Sequence, residues 1–187
     1  MKVSNRALLL DRDGVINVNH GYVHRAEDCQ FIPGIFELCQ RAIQQNYLII
    51  IVTNQSGIAR RYYSRQQFHQ FSRWIEHQFW LRGAPITHTY HCPHHPKENG
   101  PFGFRCTCRK PKPGMIFKAQ RDFNLDLTRS IMVGDSLSDM QCARQAGIKQ
   151  AVLFKENLLP KYSPKLAKRD KKPYYLANDL AAIAALL

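Results

Sequence analysis

No run in this 187-residue chain approaches the ~20 apolar residues that a transmembrane helix requires. Met1-Lys2-Val3-Ser4-Asn5-Arg6 leads directly into a strand-like segment, without an apolar signal core or a small-residue cleavage site. A cytoplasmic protein is therefore expected. Internal repeats and low-complexity tracts are absent. Sustained heptads are absent too, so a monomer is expected. Acidic residues are scarce: 14 Asp and Glu face 27 Lys and Arg, for a net charge of +13. That excess suits an anionic substrate or a nucleic acid, and equally a solubilising surface. Part of it falls in residues 161–172, which read as a solvated loop remote from the motifs. No basic stretch interleaved with aromatics flanks those motifs, which argues against a nucleic-acid groove.

What is present fits one globular domain over residues 1–187, at 44% hydrophobic and 22% charged. Three apolar runs share one design. Ala7-Leu-Leu-Leu10 ends at Asp11, Tyr47-Leu-Ile-Ile-Ile-Val52 at Thr53-Asn54, and Ser130-Ile-Met-Val133 at Gly134-Asp135. None alternates, which marks strands buried on both faces of a parallel sheet. Residues 151–154 and 174–176 read as further strands. Helical patterns cover residues 35–45, 64–81, 113–123, 137–146 and 180–187. The second opens with Ser64 and Gln67 at capping-box spacing, and Gly147 stops the fourth. Strand–helix alternation predicts an α/β fold: a doubly wound, mostly parallel, Rossmann-like sheet with helices on both faces. Ligands of such sheets bind beyond the carboxyl ends of the strands, where Asp11, Asp13, Thr53, Asn54 and Asp135 fall.

Asp11-Arg12-Asp13-Gly14 places two carboxylates on one side of an extended segment at a strand end. One acid can attack an electrophile while the second moves protons and a divalent cation offsets incoming negative charge. Gly134-Asp135-Ser136-Leu137-Ser138-Asp139 adds acids across a second strand-to-helix junction. Asp135 can reach the cation. Two readings of Asp139 stand: it binds or orients a group at the site, or it is a helix N-terminal acid answering the dipole.

Six cysteines without a secretory signal point to metal rather than disulfides. Cys39 and Cys142 lie in helical patterns as small buried thiols, and Cys29 stands alone. Cys92-x-His94 and Cys106-x-Cys108, with 11 residues between the halves, suit tetrahedral Zn²⁺. Four protein ligands close the shell, so a structural ion is expected, pinning an irregular loop over about residues 91–110. His91 and His95 compete for the imidazole position, and the paired spacing favours His94. The next residues, Arg109-Lys110-Pro111-Lys112-Pro113, are stiffened by proline. They can hold Lys110 as a fixed cation against a phosphoryl group, with Arg109 on a substrate phosphate. A charged exposed turn is the alternative, and for Lys112 nothing argues against it.

Taken in order, D-x-D-G, Thr53-Asn54, Lys110 and G-D-x-x-x-D resemble the haloacid dehalogenase-like phosphatases. The segments Asp11-Arg-Asp-Gly-Val-Ile-Asn17, His20-Gly-Tyr-Val23, Thr53-Asn-Gln-Ser-Gly-Ile-Ala59, Cys92-Pro-His-His-Pro96 and Cys108-Arg-Lys-Pro-Lys-Pro-Gly-Met115 are similar to the heptose-bisphosphate phosphatase family, and the likeness fades after about Phe154. The resemblance implies a cytoplasmic, Mg²⁺-dependent phosphatase acting on a small phosphorylated sugar of lipopolysaccharide precursor synthesis, without a large cap domain. It implies Asp11 as nucleophile and Asp13 as general acid and base, with Thr53 and Lys110 stabilising the transferred phosphoryl. Mg²⁺ would sit on Asp11, the main-chain carbonyl of Asp13, and Asp135. Asn19, His20, Gly21 and Tyr22 would form a substrate loop, with further contacts from Asn54, Gln55, Ser56 and Arg109. The zinc loop and residues 17–31 would wall the site. Ser136 stands where the family carries Lys, and Asn19 where Asp is expected, so substrate preference is open. Histidinol-phosphate phosphatases share the C-x-H…C-x-C set, and His20-Gly-Tyr-Val favours the heptose side. A polynucleotide 3′-phosphatase or a non-catalytic zinc-loop binder of nucleic acid are the further alternatives, and the intact acids oppose the latter.

Overall fold

The computed structural model describes residues 4–155 and 174–187, together with the backbone of Ala167–Lys168. Five strands follow the apolar runs: β1 (Arg6–Leu10), β2 (Tyr47–Asn54), β4 (Ile131–Gly134), β5 (Gln150–Phe154) and β7 (Tyr175–Ala177). Two more complete the sheet, β3 (His88–Cys92) and β6 (Ala167–Lys168). The spatial order is β3-β2-β1-β4-β5-β7-β6. Every pairing is parallel except that of β6 with β7. Two residues of the run read as a solvated loop thus form an antiparallel edge strand. The rest of residues 161–172 lies outside the described residues.

Successive strand residues face opposite layers. Leu8, Leu10, Ile49, Ile51 and Val133 pack on α1 (Ile35–Gln44), α2 (Arg65–Leu81) and α5 (Leu180–Ile183). Ala7, Leu9, Ile50, Val52 and Met132 pack on α3 (Gly114–Phe123) and α4 (Leu137–Ala146). Burial on both faces explains why these strands carry no polar alternation. The α2 stripe buries Phe68, Phe71, Ile75 and Phe79, leaving Trp74 half-buried beside Phe31 and Phe71. Ser64 and Gln67 close a capping box at its start, and Gly147 ends α4 in the left-handed region. No helix among the described residues is long and apolar enough to cross a membrane. Among those residues, loops rather than a separate cap domain stand over the strand ends.

Candidate active site

The chain winds outward from β1 in one direction to β2 and β3, and in the other to β4 and β5. The crevice between the ends of β1 and β4 is therefore the switch point at which α/β sheets bind ligands. Asp11 leaves β1 there, its amide donating to the Val133 carbonyl at 2.9 Å. Asp135 follows β4 directly. The two acids, with Asp13 and Lys110, line a cavity of about 380 Å³.

Lys110 is the buried cation of the site, at 3% exposure. Its ammonium lies 2.9 Å from Asp11 Oδ1 and 2.6 Å from Asp139 Oδ1, and donates to the Val52 carbonyl at 2.8 Å. The Asn54 side chain fixes the Lys110 backbone, accepting from its amide at 3.0 Å and donating to its carbonyl at 3.1 Å. Burial alone would lower the lysine pKa, but the two carboxylates outweigh it and hold the group protonated above its ordinary value. Asp139 is fully buried. Its second oxygen accepts from the Ser136 amide at 3.1 Å and from the Ser136 hydroxyl at 2.6 Å. It is thus both the first-turn acid of α4 and the anchor of Lys110.

Asp13 rests on a set of donors. Arg12 Nη2 reaches both its oxygens at 2.9 Å, Asn17 Nδ2 reaches Oδ1 at 3.1 Å, and Gln55 Nε2 reaches Oδ2 at 3.1 Å. Arg12 is itself buried, donating to the Val23 carbonyl at 2.6 Å and lying over the rings of Phe71 and Phe68.

The residues fit a divalent cation. Carboxylate oxygens of Asp11, Asp135 and Asp139 lie within 4.8 Å of one another. Lys110 and Ser136 engage both oxygens of Asp139, whereas Asp11 meets Lys110 and the Arg12 amide through Oδ1 alone, so Asp11 and Asp135 are the acids left for a cation. Burial first, then the neighbouring Asp139 charge, pushes Asp135 above its ordinary value. Asp11 is pushed up chiefly by burial, against the pull of Lys110. A bound cation relieves both. Gly14 makes the close approach possible. It sits at φ +84°, and a Cβ there would lie 2.4 Å from Asp135 Oδ2.

Of the residues expected to touch substrate, Asn19, Gly21, Tyr22, Asn54, Gln55, Ser56 and Ser136 line the cavity. Thr53, His20 and Arg109 are not on its wall. Thr53 is buried beneath it, and its Oγ1 accepts from Gln55 at 2.8 Å. His20 is exposed. The Arg109 guanidinium donates to the His94 carbonyl at 3.1 Å, bracing the cysteine-rich loop.

Cys92, His94, Cys106 and Cys108 converge in that loop. The S···S separations are 3.2–3.5 Å, and His94 Nδ1 lies 3.3 Å from Cys108 Sγ. These approach the roughly 3.8 Å edge of a tetrahedron with 2.3 Å Zn–S arms, so the donor set is compatible with zinc. Hydrogen bonding between the two sulfurs lowers the Cys108 thiol and raises that of Cys92, so the cluster shares protons that a bound cation would displace. His91 and His95 lie outside the cluster. His91 packs on Phe68 with centroids 4.2 Å apart, and His95 pairs with Glu98 at 3.6 Å.

Sequence reasoning missed the buried Arg12, and with it Asn17 and Tyr63. Arginine between two acids reads as surface, and only the aromatic stripe of α2 could have signalled its burial. A larger hollow of about 480 Å³ wraps the edge strand β3. Glu76 is its only carboxylate, so it lacks the acid cluster that phosphoryl chemistry needs.

A HAD-hydrolase-like family model matches residues 107–183. A D-glycero-beta-D-manno-heptose-1,7-bisphosphate 7-phosphatase of Pasteurella multocida is 40% identical over 182 residues, covering 97% of this chain and 96% of that protein. The D-glycero-alpha-D-manno-heptose-1,7-bisphosphate 7-phosphatase of Burkholderia mallei is 49% identical over 153 residues, covering 81% of each. Among solved structures, D,D-heptose 1,7-bisphosphate phosphatase from B. bronchiseptica, complexed with magnesium and phosphate, matches with a TM-score of 0.78. Identity is 29%, and coverage 96% of both chains.

Proposed function

This chain belongs to the heptose-1,7-bisphosphate 7-phosphatase family of HAD-like hydrolases, and we propose that it removes the 7-phosphate of D-glycero-D-manno-heptose 1,7-bisphosphate. The observation that carries the reading is the meeting of Asp11, Asp13, Lys110 and Asp135 in one cavity at the switch point of the sheet.

The chemistry is phosphoryl transfer through Asp11. Its carboxylate attacks phosphorus in line, forming an Asp11–phosphorus bond as the bond to the sugar oxygen breaks. Asp13 delivers a proton to that leaving oxygen. It then takes a proton from water, which attacks the aspartyl-phosphate, releasing inorganic phosphate and free Asp11. Lys110 stabilises charge on the phosphoryl oxygens from its buried seat, where low polarity strengthens the attraction. Thr53 would serve the same group from directly beneath the cavity, its hydroxyl proton not being used by Gln55. Asp11, Asp135 and the Asp13 main-chain carbonyl would hold Mg²⁺, which when bound supplies a Lewis acid for the phosphate charge. Cys92, His94, Cys106 and Cys108 would hold a structural Zn²⁺. Asn19, Gly21 and Tyr22 face the sugar across the cavity.

Relatives named for each anomer resemble this chain, so both belong in the test. Phosphate release is measured at fixed Mg²⁺ from each heptose 1,7-bisphosphate anomer, fructose 1,6-bisphosphate, histidinol phosphate and a 3′-phosphorylated oligonucleotide. Selective cleavage of a heptose anomer is expected. Preference for histidinol phosphate or the oligonucleotide would overturn the substrate while keeping the mechanism.

A further inference from the structure

The Gln55 side chain lines the cavity, but protein groups hold its polar atoms. Its Nε2 donates to Asp13 Oδ2 at 3.1 Å and to Thr53 Oγ1 at 2.8 Å. Its Oε1 accepts from the Tyr63 hydroxyl at 2.5 Å. Gln55 and Tyr63 are 2% and 4% exposed. Ionised Asp13 can only accept, so in that state its contact points the amide nitrogen toward it. The amide oxygen must then face Tyr63, which must donate.

We propose that Gln55 and Tyr63 are positioning residues: Gln55 couples the acid/base Asp13 to the phosphoryl-binding Thr53, and Tyr63 locks the Gln55 amide in the required sense. This rests on the phosphatase reading above. Two consequences follow for the chemistry. The Gln55 amide shares Asp13 Oδ2 with Arg12 and so helps fix the orientation of that carboxyl group. By occupying a lone pair of Thr53 Oγ1, it also leaves the Thr53 proton free to donate to a phosphoryl oxygen. Burial pushes the Tyr63 phenol up to about 12, so it keeps its proton through the working range.

The surroundings are built around the tyrosine. Its ring stacks on His24 with centroids 4.7 Å apart at 15°. A Cβ on Gly57 would fall 2.2 Å from Tyr63 Cε1, so only glycine leaves room for the ring there. Of these residues, only Gln55 entered the sequence-based site, and there as a substrate contact.

The test is steady-state kinetics of Tyr63→Phe, Gln55→Leu and the double variant, with whichever phosphate ester the wild-type chain cleaves fastest. Tyr63→Phe keeps the ring, its stacking and the Gly57 contact, so the fold has no reason to fail. A positioning role predicts a fall in kcat of roughly 10- to 100-fold with KM held within about twofold. It also predicts that the double variant is no slower than Gln55→Leu, because Tyr63 acts only through Gln55. A raised KM at unchanged kcat, wild-type kinetics in Tyr63→Phe, or losses that multiply in the double variant would each overturn the proposal. No turnover of any ester by the wild-type chain would instead sink the phosphatase reading, and this proposal with it.

Discussion

Lys110 and Asp139 form a 2.6 Å ion pair in the floor of the site, shielded from solvent on both sides. Asp139 rides on the first turn of α4, where the helix dipole favours an acid. Its other oxygen accepts from Ser136, so Asp139 is held independently of Lys110. The lysine is in turn held by Asn54 through its backbone. The cation beside Asp11 is therefore placed by two independent anchors rather than by its own flexible stem. The two sequence-based readings of Asp139 merge: the helix acid is also the group that orients the site.

Breaking that pair should be costly. Asp139→Asn leaves a buried ammonium short of a counter-charge and removes a cap acceptor, for a loss of about 3 kcal/mol. Urea denaturation of both proteins measures it. A loss under about 0.5 kcal/mol, as at an ordinary surface site, would show that the pair does not anchor Lys110.

Asp11→Asn should abolish turnover while leaving the circular dichroism close to wild type. Asp13→Asn should lose about 10²–10⁴-fold in kcat, the range of general acid–base catalysis. Near-wild-type rates for either variant in a Mg²⁺-replete assay would refute its role.

Mg²⁺ should stabilise the protein more at alkaline than at acid pH. Burial, against Lys110, lifts the Asp11 carboxyl from 3.8 to about 7, and Asp135 is lifted in the same direction. The metal-free folded chain thus keeps protons that the unfolded chain releases. Its stability from these groups is greatest at low pH and falls as pH rises from about 4 toward 7. A cation takes the ionised carboxylates and displaces those protons. The rise in melting temperature on adding Mg²⁺ should be clearly larger at about pH 8 than at about pH 5.5. Equal rises would contradict this coupling.

Emptying the proposed zinc site should loosen the loop and Lys110 together. The Arg109 amide donates to Cys106 Sγ at 3.3 Å, and Lys110 is the next residue. Cys106→Ser should lose zinc by elemental analysis, gain protease sensitivity between residues 92 and 110, and lose activity. Unchanged metal content would sink the assignment of that cysteine.

The architecture was legible because its central strands are unbroken apolar runs ending at polar residues, as Ala7-Leu-Leu-Leu10 ends at Asp11. β3 was not, because His-Thr-Tyr-His-Cys lies at a sheet edge and needs few apolar side chains. The gathering of Asp11 and Asp135 could be foreseen from their places at strand ends, and that of Lys110 from the proline-stiffened segment that carries it. Spacing selected the Cys92, His94, Cys106 and Cys108 set, whereas the separation of His91 and His95 from it depended on packing against Phe68 and pairing with Glu98. The seat of Asp13 was hidden, because it unites Arg12, Asn17, Gln55 and Tyr63 through contacts across loops that carry no periodic pattern. The Lys110–Asp139 pair was hidden for the same reason, being a contact between a loop and a helix start.

The central claim is tested most directly by following the two phosphorus signals of heptose 1,7-bisphosphate by ³¹P NMR, with each anomer, enzyme and Mg²⁺ present. The account predicts loss of the 7-phosphate signal, growth of inorganic phosphate and survival of the anomeric 1-phosphate. Loss of the anomeric phosphate first, or two unchanged signals with both anomers, would contradict it.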